Sequence, residues 1–460
     1  MNPSLPFVEE MISGWGLYPK IKARVYRPSS PQELEYLLHR EGSLVARGLG
    51  RSYGDAAIAP TVVDTTALNK FLEFDTSLGS LYVEAGASID QILRWSVPRG
   101  WFLPVVPGTK YVTLGGAFAS DIHGKNHHAQ GSFSDQVEEV ELFTSRGELI
   151  RCSRHEKPDL FWATAGGLGL TGIILRIRLR LKPIETAYIW KRILKAPNLP
   201  AILRLFDEYQ QSTYSVAWID CLARGKNLGR SVLFLGEHLG LNQLPSHLRT
   251  QPLLVHSAPR IRIPYYFPDW TLNTLSIRTF NTLYYWFSGP ENRPAVVHYD
   301  PFFFPLDKVY HWNRIYGRRG FLQYQCVVPK KDGEAILAEI LGRISRSGMG
   351  SFLAVLKLFG PSDGRYLNFP MEGYTLALDF PRTSSVFFLL DELDELVDAV
   401  GGRVYLTKDA RLHPKHIARQ YPQWQDFVVL KNEVDPQQKW ASLLSQRLQL
   451  TSSLHVYRDN

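Results

Sequence analysis

The sequence predicts a mixed α+β protein that is organised as two or three lobes. The chain has 460 residues, more than one hydrophobic core usually organises. In residues 1–182, short strand-like stretches alternate with capped helices, and few long helices are indicated. Hydrophobic residues make up 45% of the chain and charged residues 21%, which is the balance of an ordinary globular enzyme.

Two predicted helices begin with a capping box. Ser30 and Ser88 are each followed three residues later by a Glu or a Gln, a spacing that lets both side chains bind backbone N–H groups. The first helix is predicted over Pro31–Arg40, with Gly42 just beyond its end. The later predicted helices cover residues 334–346, 389–400 and 437–450.

The strand predictions rest on short apolar runs and on alternation. Between residues 172 and 182, Leu175, Ile177 and Leu179 alternate with arginines, and this period of two predicts one buried and one solvated face. The other predicted strands cover residues 44–46, 61–64, 81–84, 137–143 and 404–407.

Three glycine-rich loops indicate a site for a large anionic ligand. They are Arg47–Asp55, the stretch 107–128 and Gly166–Ile174. Glycines let the backbone approach a ligand closely, and bare N–H groups in a turn bind phosphate. Together the loops suit a ligand that lies across a groove with a pyrophosphate among the backbone amides.

The first loop is not expected to be a Rossmann fingerprint. Gly48 and Gly50 follow a predicted strand, and Asp64 lies at a distance suited to holding a ribose. A Rossmann crossover, however, contains a helix. Residues 55–60 cannot supply that helix, so the loop is interpreted as a tight turn that faces an anion.

A metal site is also not expected. His123, His127 and His128 lie close together, but a His-x-x-x-His pair needs a helix to face one ion. Gly124 and Asn126 disfavour that helix. Three widely spaced cysteines predict neither a disulfide framework nor a zinc site.

The charge and the chain's beginning set further expectations. A net charge of +8 favours anionic partners, but no nucleic-acid-binding module is evident, so no nucleic acid is expected. A phosphate-bearing cofactor and substrate fit this charge better. Neither a signal peptide nor an apolar run of about 20 residues is found, and cytoplasmic residence is the expectation.

Three strings of residues resemble a known family. They are Arg47–Asp55, the Gly115-Gly116-Ala117 step followed by Asp121–His128, and Leu160–Gly167. They resemble the vanillyl-alcohol-oxidase-type (PCMH-type) FAD-dependent oxidoreductases, and within these the decaprenylphosphoryl-ribose 2′-oxidase family. The similarity covers nearly the whole chain, and it continues through residues 321–325, 357–361, 405–409 and 431–436.

The resemblance implies an α+β fold in which a two-subdomain FAD-binding unit is interrupted by a substrate domain. Residues 1–186 are expected to form the first part of the FAD domain. Residues 187–402 are expected to form the inserted domain, with an antiparallel sheet flanked by helices. Residues 403–460 are expected to return to the FAD domain.

The resemblance also implies the FAD-binding residues. Several relatives attach FAD covalently through a histidine in the first loop, where this chain has Arg51. A guanidinium cannot form that bond but can hydrogen-bond a phosphate, so FAD is expected to bind non-covalently. The implied contacts are Arg47, Gly48, Leu49, Gly50, Arg51, Ser52, Tyr53 and Gly54; Pro107, Gly108 and Thr109; Gly115, Gly116 and Ala117; Asp121, His123 and Gly124; Ile174; and Tyr405.

The chemistry implied is hydride transfer from a carbinol carbon to the flavin. Lys408, His123 and Gln325 are the implied catalytic residues. Lys408 could act as a base when neutral or stabilise a developing alkoxide when cationic, and the sequence leaves both roles open. The implied substrate-binding residues are Lys125, Trp218, Gln323, Lys357 and Ala377.

The substrate implied by the resemblance is a polyprenyl-phosphoryl pentose, oxidised as the first half of an epimerisation that a separate NAD(P)H-dependent ketoreductase completes. An aldonolactone or alditol oxidase, and a membrane-binding protein with a structural flavin, are the alternatives. Two departures from the family, Ala377 in place of a cysteine and Val216 in place of a small polar residue, leave the sugar and lipid open. The aromatic, basic segment 256–289 predicts either peripheral membrane contact or a buried core.

Overall fold

The computed structural model describes residues 5–255, 261–289 and 293–451, and it confirms the α+β class. The N-terminal part holds two main sheets, and a larger sheet follows. The helices are α1 (Pro31–Arg40), α2 (Ile89–Ser96), α3 (Leu114–Ala119), α4 (His127–Gln130), α5 (Pro158–Thr164), α6 (Leu199–Glu208), α7 (Thr274–Phe287), α8 (Tyr299–Phe303), α9 (Gly333–Ser347), α10 (Ser384–Ala399), α11 (Ile417–Gln420), α12 (Trp424–Val434) and α13 (Leu443–Arg447).

The first sheet has four strands in the order β1-β2-β4-β3. Strands β3 and β4 are parallel neighbours, and residues 48–60 connect them without a helix. The absence of a crossover helix was predicted correctly, whereas the premise that such a helix is needed to join parallel strands does not hold here. The strands are β1 (Phe7–Ser13), β2 (Lys20–Tyr26), β3 (Val45–Arg47) and β4 (Thr61–Asp64).

The second sheet is antiparallel, in the order β5-β6-β10-β8-β9. The alternation predicted for β10 is confirmed, since Ile177 and Leu179 are fully buried while Arg176 and Arg178 are not. Its strands, with the small pair β7–β11, are β5 (Phe71–Asp75), β6 (Ser80–Glu84), β7 (Trp101–Phe102), β8 (Val137–Phe143), β9 (Leu149–Ser153), β10 (Ile173–Arg180) and β11 (Lys182–Pro183).

The third sheet has eight strands in the order β16-β12-β14-β13-β19-β20-β18-β21, with every neighbouring pair antiparallel. Beside it lies the short pair β15–β17. The strands are β12 (Tyr188–Ala196), β13 (Tyr214–Ile219), β14 (Ser231–His238), β15 (Ile261–Arg262), β16 (Ala295–His298), β17 (Val309–Tyr310), β18 (Phe321–Pro329), β19 (Ala354–Phe359), β20 (Gly373–Pro381) and β21 (Arg403–Val404).

The two faces of the eight-stranded sheet differ in chemistry. Because side chains alternate along a strand, Leu322, Tyr324 and Cys326 of β18 point to one face and pack in a core with α6, α9 and α10. Gln323 and Gln325 lie between them on the other face. The alternation therefore separates a helix-covered hydrophobic face from a face that presents polar groups.

The C-terminal segment differs from its prediction in two ways. Strand β21 pairs with β18 of the eight-stranded sheet, although a strand over 404–407 was expected to return to the N-terminal sheets. The closing helix covers only Leu443–Arg447. The chain contacts the N-terminal sheets again only after α12, where Trp440 is buried beside Leu44 and Arg447 binds the carboxylates of Asp55 and Asp409.

The three cysteines, Cys152, Cys221 and Cys326, are buried and unbridged, as expected for small core residues. Within the described ranges, the search for a helix of sufficient length and apolarity to cross a membrane finds none.

Buried polar contacts join the N-terminal part to the unit built around the large sheet. The ammonium of Lys110 lies between Asp300, which precedes the loop into β17, and Asp90 on α2, at 3.2 Å from the latter. Asp307 accepts hydrogen bonds from Thr109 Oγ1 at 2.7 Å and from the Lys110 N–H at 2.9 Å. These contacts fix the loop of residues 107–110 against the large sheet's unit.

We expect Lys110→Met to lower the free energy of unfolding by about 3–5 kcal/mol, because it leaves the buried carboxylate of Asp300 without its cation, whereas Asp90 keeps Arg94. Lys22→Met is the matched control. Lys22 pairs with Glu9 on the surface, and its loss should cost less than about 1 kcal/mol. Urea unfolding followed by fluorescence measures both. Equal losses in the two variants would show that the Lys110 contacts do not hold the parts together.

Candidate active site

A cavity of about 600 Å³ lies between the N-terminal sheets and the polar face of the eight-stranded sheet. All three glycine-rich loops contribute to its wall, as do Lys408, Gln325 and the five predicted substrate-binding residues. Of the predicted cofactor residues, those that line it are Arg47, Gly48, Leu49, Gly50, Arg51, Ser52, Tyr53, Pro107, Gly108, Thr109, Gly115, Gly116, His123, Gly124, Ile174 and Tyr405.

The cavity crosses the large sheet from one side to the other. Strand register places Gln325 opposite Ala377, Ala377 opposite Val355, and Val355 opposite Trp218. Further along the wall come Phe234 on β14 and Lys191 on β12. From β18 to β12 there are five strand spacings, or about 24 Å along a flat sheet.

The glycines of the first two loops make room for backbone contact. A Cβ on Gly48 would come within 2.2 Å of Thr113 Oγ1, and this hydroxyl also accepts a hydrogen bond from the Gly116 N–H. Gly50 has a φ of +63°, which favours glycine. These features hold the Arg47–Tyr53 loop against the start of α3, with bare backbone facing the cavity.

Arg51 supplies a cation that forms no ion pair with any carboxylate in the described part of the chain. Its guanidinium lies 3.9 Å from the centre of the Trp15 ring, and Nε is buried without a hydrogen-bond partner among the described residues. Burial lowers the pKa of Arg51, and the charge of Asp307 acts in the opposite direction. A buried guanidinium with an unused donor, next to glycine backbone, fits the phosphates of a dinucleotide.

Three predicted cofactor residues lie behind the cavity wall. A Cβ on Gly54 would lie 1.7 Å from the carbonyl oxygen of Asp409, so its glycine is required by packing. Ala117 is fully buried in the core. Asp121 is buried, and its carboxylate accepts hydrogen bonds from Ser132 Oγ and the Ser134 N–H. The structure gives these three residues a structural role and no direct access to the cavity.

Three lysines face the same cavity. Burial lowers the pKa of Lys125 to about 8. Burial, with the like charges of Lys125 and Lys408, lowers the pKa of Lys357 to about 7. Burial lowers the pKa of Lys408 to about 7, and the carboxylate of Asp379 partly opposes this. Each lysine can therefore change protonation state near neutral pH when an anion or a proton acceptor binds.

Asp379 belongs to a hydrogen-bonded group behind Lys408. It accepts from Gln323 Nε2 at 2.5 Å and from the hydroxyl of Tyr316 at 3.5 Å. The Lys408 ammonium lies 3.8 Å from the centre of the Tyr53 ring. Burial raises the pKa of Asp379 to about 7. The charge of Asp379 thus acts on the protonation of Lys408, and the Tyr53 ring contacts its ammonium.

His123 is held as a neutral imidazole. Gln325 Nε2 lies 2.9 Å from His123 Nε2 and 3.2 Å from Thr375 Oγ1, whose hydroxyl donates to the Cys326 carbonyl. An amide nitrogen only donates, so His123 Nε2 accepts and the ring proton is on Nδ1. Burial, followed by the charge of Lys357, lowers the pKa of His123 well below its ordinary value. This arrangement makes His123 a weak base.

The three neighbouring histidines do not converge on one point. His127 does begin the short helix α4, which was not expected, but its ring packs 4.3 Å from Phe359. His128 Nε2 contacts the Ser212 carbonyl instead. Within the described residues, the side chains close enough to share a metal are Glu395, Asp398 and His416, and Lys415 and Arg419 already neutralise these acids.

Several lining residues were not predicted. Gly169 and Gly172 belong to the third glycine loop, which gave a usable signal. Trp15, Asp307, Lys191, Tyr284 and Ser288 come from separate parts of the chain and carry no local motif. They reach the site only through tertiary packing.

Comparison with known proteins identifies the family. An FAD-binding-domain model matches residues 23–153. Over 459 residues the chain is 39% identical to a decaprenylphosphoryl-β-D-ribose oxidase of Mycolicibacterium smegmatis, covering 97% of this chain and 98% of the relative. The chain belongs to the decaprenylphosphoryl-β-D-ribose oxidase family. Cytokinin dehydrogenase 10 of Oryza sativa is 32% identical over 37% of this chain and 34% of its own length.

A more distant relative is a putative D-arabinono-1,4-lactone oxidase of Neurospora crassa, 24% identical over 44% of this chain and 36% of its own length. The family, the matched domain and the cavity agree on an FAD-dependent oxidoreductase that acts on CH–OH groups. FAD, when bound, accepts a hydride on its ring system. The residues best placed to hold its phosphates are the Arg47–Tyr53 loop, with Arg51, and the Gly115-Gly116 step.

Asp379→Asn should shift the pH dependence of flavin reduction to lower pH. The carboxylate of Asp379 raises the pKa of Lys408, so its removal lets burial lower that pKa further below about 7. The direction is the same whether Lys408 acts neutral or charged. Stopped-flow reduction rates across pH 5–9 measure the midpoint. Asp332→Asn, an exposed acid, should leave it in place, and an unmoved midpoint in Asp379→Asn would separate Asp379 from Lys408.

Proposed function

We propose that this protein oxidises a secondary hydroxyl of a polyprenyl-phosphoryl pentose to a ketone. The observation that carries the proposal is the path of the cavity, which runs from the glycine loops across the large sheet to the helix α7. A free sugar would occupy a small fraction of that path, which is about 24 Å over five strand spacings. A pentose with a phosphate and an isoprenoid chain would use its whole length. The M. smegmatis relative is named for such a substrate.

The polar groups at the glycine-loop end suit a sugar. Lys357 supplies a donor on one sheet face, and beside it the Gln325 amide, whose N–H groups are used by His123 and Thr375, keeps its oxygen as an acceptor. Lys125 donates to the Phe303 carbonyl at 3.0 Å. While the hydride leaves the carbinol carbon, the hydroxyl group of the sugar must either give its proton to a base or have its developing alkoxide charge stabilised by a cation. Lys408, with a pKa of about 7, can serve in the first role when neutral and in the second when charged.

The opposite end of the cavity lies beneath an unusual surface. Tyr284 and Ser288 of the α7 region line the cavity, while the outer side of the same helix exposes apolar side chains to solvent. The membrane-contact prediction for segment 256–289 concerns this surface, except for residues 256–260, which lie outside the described residues. The exposed apolar side chains of residues 261–289 are Ile261, Tyr265, Tyr266, Phe267, Trp270, Leu275, Phe280, Leu283, Trp286 and Phe287.

We infer that this surface, here called the α7 surface, contacts the membrane that holds the lipid substrate. Trp270, Trp286 and Phe287 are 75%, 62% and 80% exposed, and aromatic side chains at this exposure suit the membrane–water interface. The ketone product would then require reduction by a separate NAD(P)H-dependent ketoreductase for the pentose to be epimerised.

Anaerobic flavin bleaching tests the substrate assignment. We expect farnesyl-phosphoryl-β-D-ribofuranose to reduce the bound flavin at least about tenfold more efficiently than D-arabinono-1,4-lactone or an alditol, because only the first occupies the whole cavity. Mass spectrometry of the product should show the loss of two hydrogens. Preferential reduction by the lactone would replace the proposal with an aldonolactone oxidase.

Lys408→Ala should keep its flavin but reduce it slowly. The variant leaves the glycine loops intact, and removal of one base or oxyanion-stabilising group costs about 10²–10⁴-fold in rate. Single-turnover reduction under anaerobic conditions measures the rate. A wild-type rate would remove Lys408 from the mechanism, and a colourless variant would assign it to cofactor binding.

The α7 surface should bind anionic vesicles, and binding should weaken with salt as the charges are screened. Replacing Trp270, Trp286 and Phe287 by Ser should weaken binding about tenfold or more by removing buried apolar area. The matched control replaces Leu78, Phe388 and Val429, which are 61%, 71% and 59% exposed elsewhere. Sedimentation with phosphatidylglycerol vesicles measures both, and equal binding by the two triple variants refutes the contact.

A further inference from the structure

Lys191 is a cation in the cavity wall, far from the glycine loops. It lies on β12, whereas Lys408 and Lys357 lie towards the glycine-loop end and Lys125, whose carbonyl accepts from the Ser215 N–H of β13, lies between that end and Lys191. Within the described ranges, its ammonium makes no hydrogen bond and no ion pair. Among the described residues, Asp307 is the one acid that lines the cavity. It lies at the glycine-loop end, beside Thr109. Lys191 is therefore a cavity cation that no group in the described part of the chain neutralises.

The packing of α7 on β12 shows what lies next to Lys191. Lys195, on the same face of the strand, donates to the Trp286 carbonyl at 2.9 Å. Ile193, two residues before Lys195 on β12, places its Cδ1 atom against Gly289. The chain thus runs along β12 from Lys195 towards Lys191 as α7 ends. Ser288, at the end of α7, and Lys191 both face the cavity in this region.

Two hydroxyls accompany the ammonium. Tyr284 and Ser288 are four residues apart on α7, a spacing that places them on one face of the helix, and both line the cavity. Ser288 Oγ is 3.5 Å from the Tyr285 carbonyl, the limit of a hydrogen bond, and is available to a better acceptor. The Tyr284 ring packs 4.6 Å from Trp218. One ammonium and two hydroxyls form a donor set that fits a phosphate.

We propose that Lys191, with Tyr284 and Ser288, binds the phosphate that joins the pentose to the isoprenoid chain; this inference rests on the proposed function. In register, Trp218 on β13 lies opposite Lys195, about 10 Å away across β14, and Lys191 is four residues further along β12. A sugar above Ala377 and Trp218 therefore reaches Lys191 diagonally, past Val216 and Phe234, which line the cavity between them. The isoprenoid chain then continues to the exposed side of α7. Burial lowers the pKa of Lys191, and a bound phosphate would restore its charge.

The test compares two substrates that differ only in the phosphate. Anaerobic flavin reduction is followed with farnesyl-phosphoryl-β-D-ribofuranose and with farnesyl β-D-ribofuranoside. Lys191→Met should raise the Kd for the phosphoryl substrate about tenfold or more, while the limiting rate and the Kd for the riboside stay unchanged. Lys191→Arg should recover most of the affinity. Lys195→Met, on the same strand face but bonded to the Trp286 carbonyl, is the matched control and should behave as the wild type.

Equal Kd values for wild type and Lys191→Met with the phosphoryl substrate, or an equal loss with both substrates, would overturn the proposal. Direct binding of farnesyl phosphate, followed by calorimetry on the flavin-loaded protein, separates it from the proposed function. If neither pentose bleaches the wild-type flavin, the proposed function fails. Farnesyl phosphate that still binds and loses affinity in Lys191→Met would then support the phosphate site alone, and its failure to bind wild type would reject that site too.

Discussion

Alternation of side chains along the central strands of the large sheet is the constraint on which the active site depends. On β18, β19 and β20, every second residue is committed to the core shared with α6, α9 and α10. The residues between them, including Gln323, Gln325 and Lys357, necessarily face the other way, across the cavity from the glycine loops. A slip of one residue in register would bury both glutamines and expose the leucines, so the fold and the site are specified by the same pattern.

The electrostatics of the cavity follow from that arrangement. Lys357 on β19, Lys125 before α4 and Lys408 after β21 are brought together, partly buried, in one cavity, and the wall offers only Asp307 as an acid among the described residues. Burial therefore lowers the pKa of each lysine towards neutrality. Bound phosphates reverse this effect, because a nearby negative charge favours the charged form of a lysine. Ligand binding and the protonation of these lysines are in this way linked.

Local features of the sequence were enough to predict several helices and the glycine-rich wall of the cavity. The capping boxes at Ser30 and Ser88 place α1 and α2, since a cap depends on residues three apart. The glycine loops were recognisable because close backbone approach demands a particular residue type. Gly54, Ala117 and Asp121 show the limit of that reasoning, since a motif does not reveal which of its members face the ligand. Lys191 and Asp379 were missed because their roles arise from the register of distant strands, and no local pattern reports it.

The ion pairs of Arg447 bear on the order in which the parts of the protein fold during synthesis. Arg447 binds Asp55 and Asp409, and Trp440 completes the core around Leu34 and Leu44, so the N-terminal sheets need residues from the end of the chain. The strands β12–β20, by contrast, are contiguous. During synthesis the large sheet can close while the N-terminal segment still waits for its last contacts. The packing that shapes the glycine loops is then complete only when the segment that carries Trp440 and Arg447 has docked.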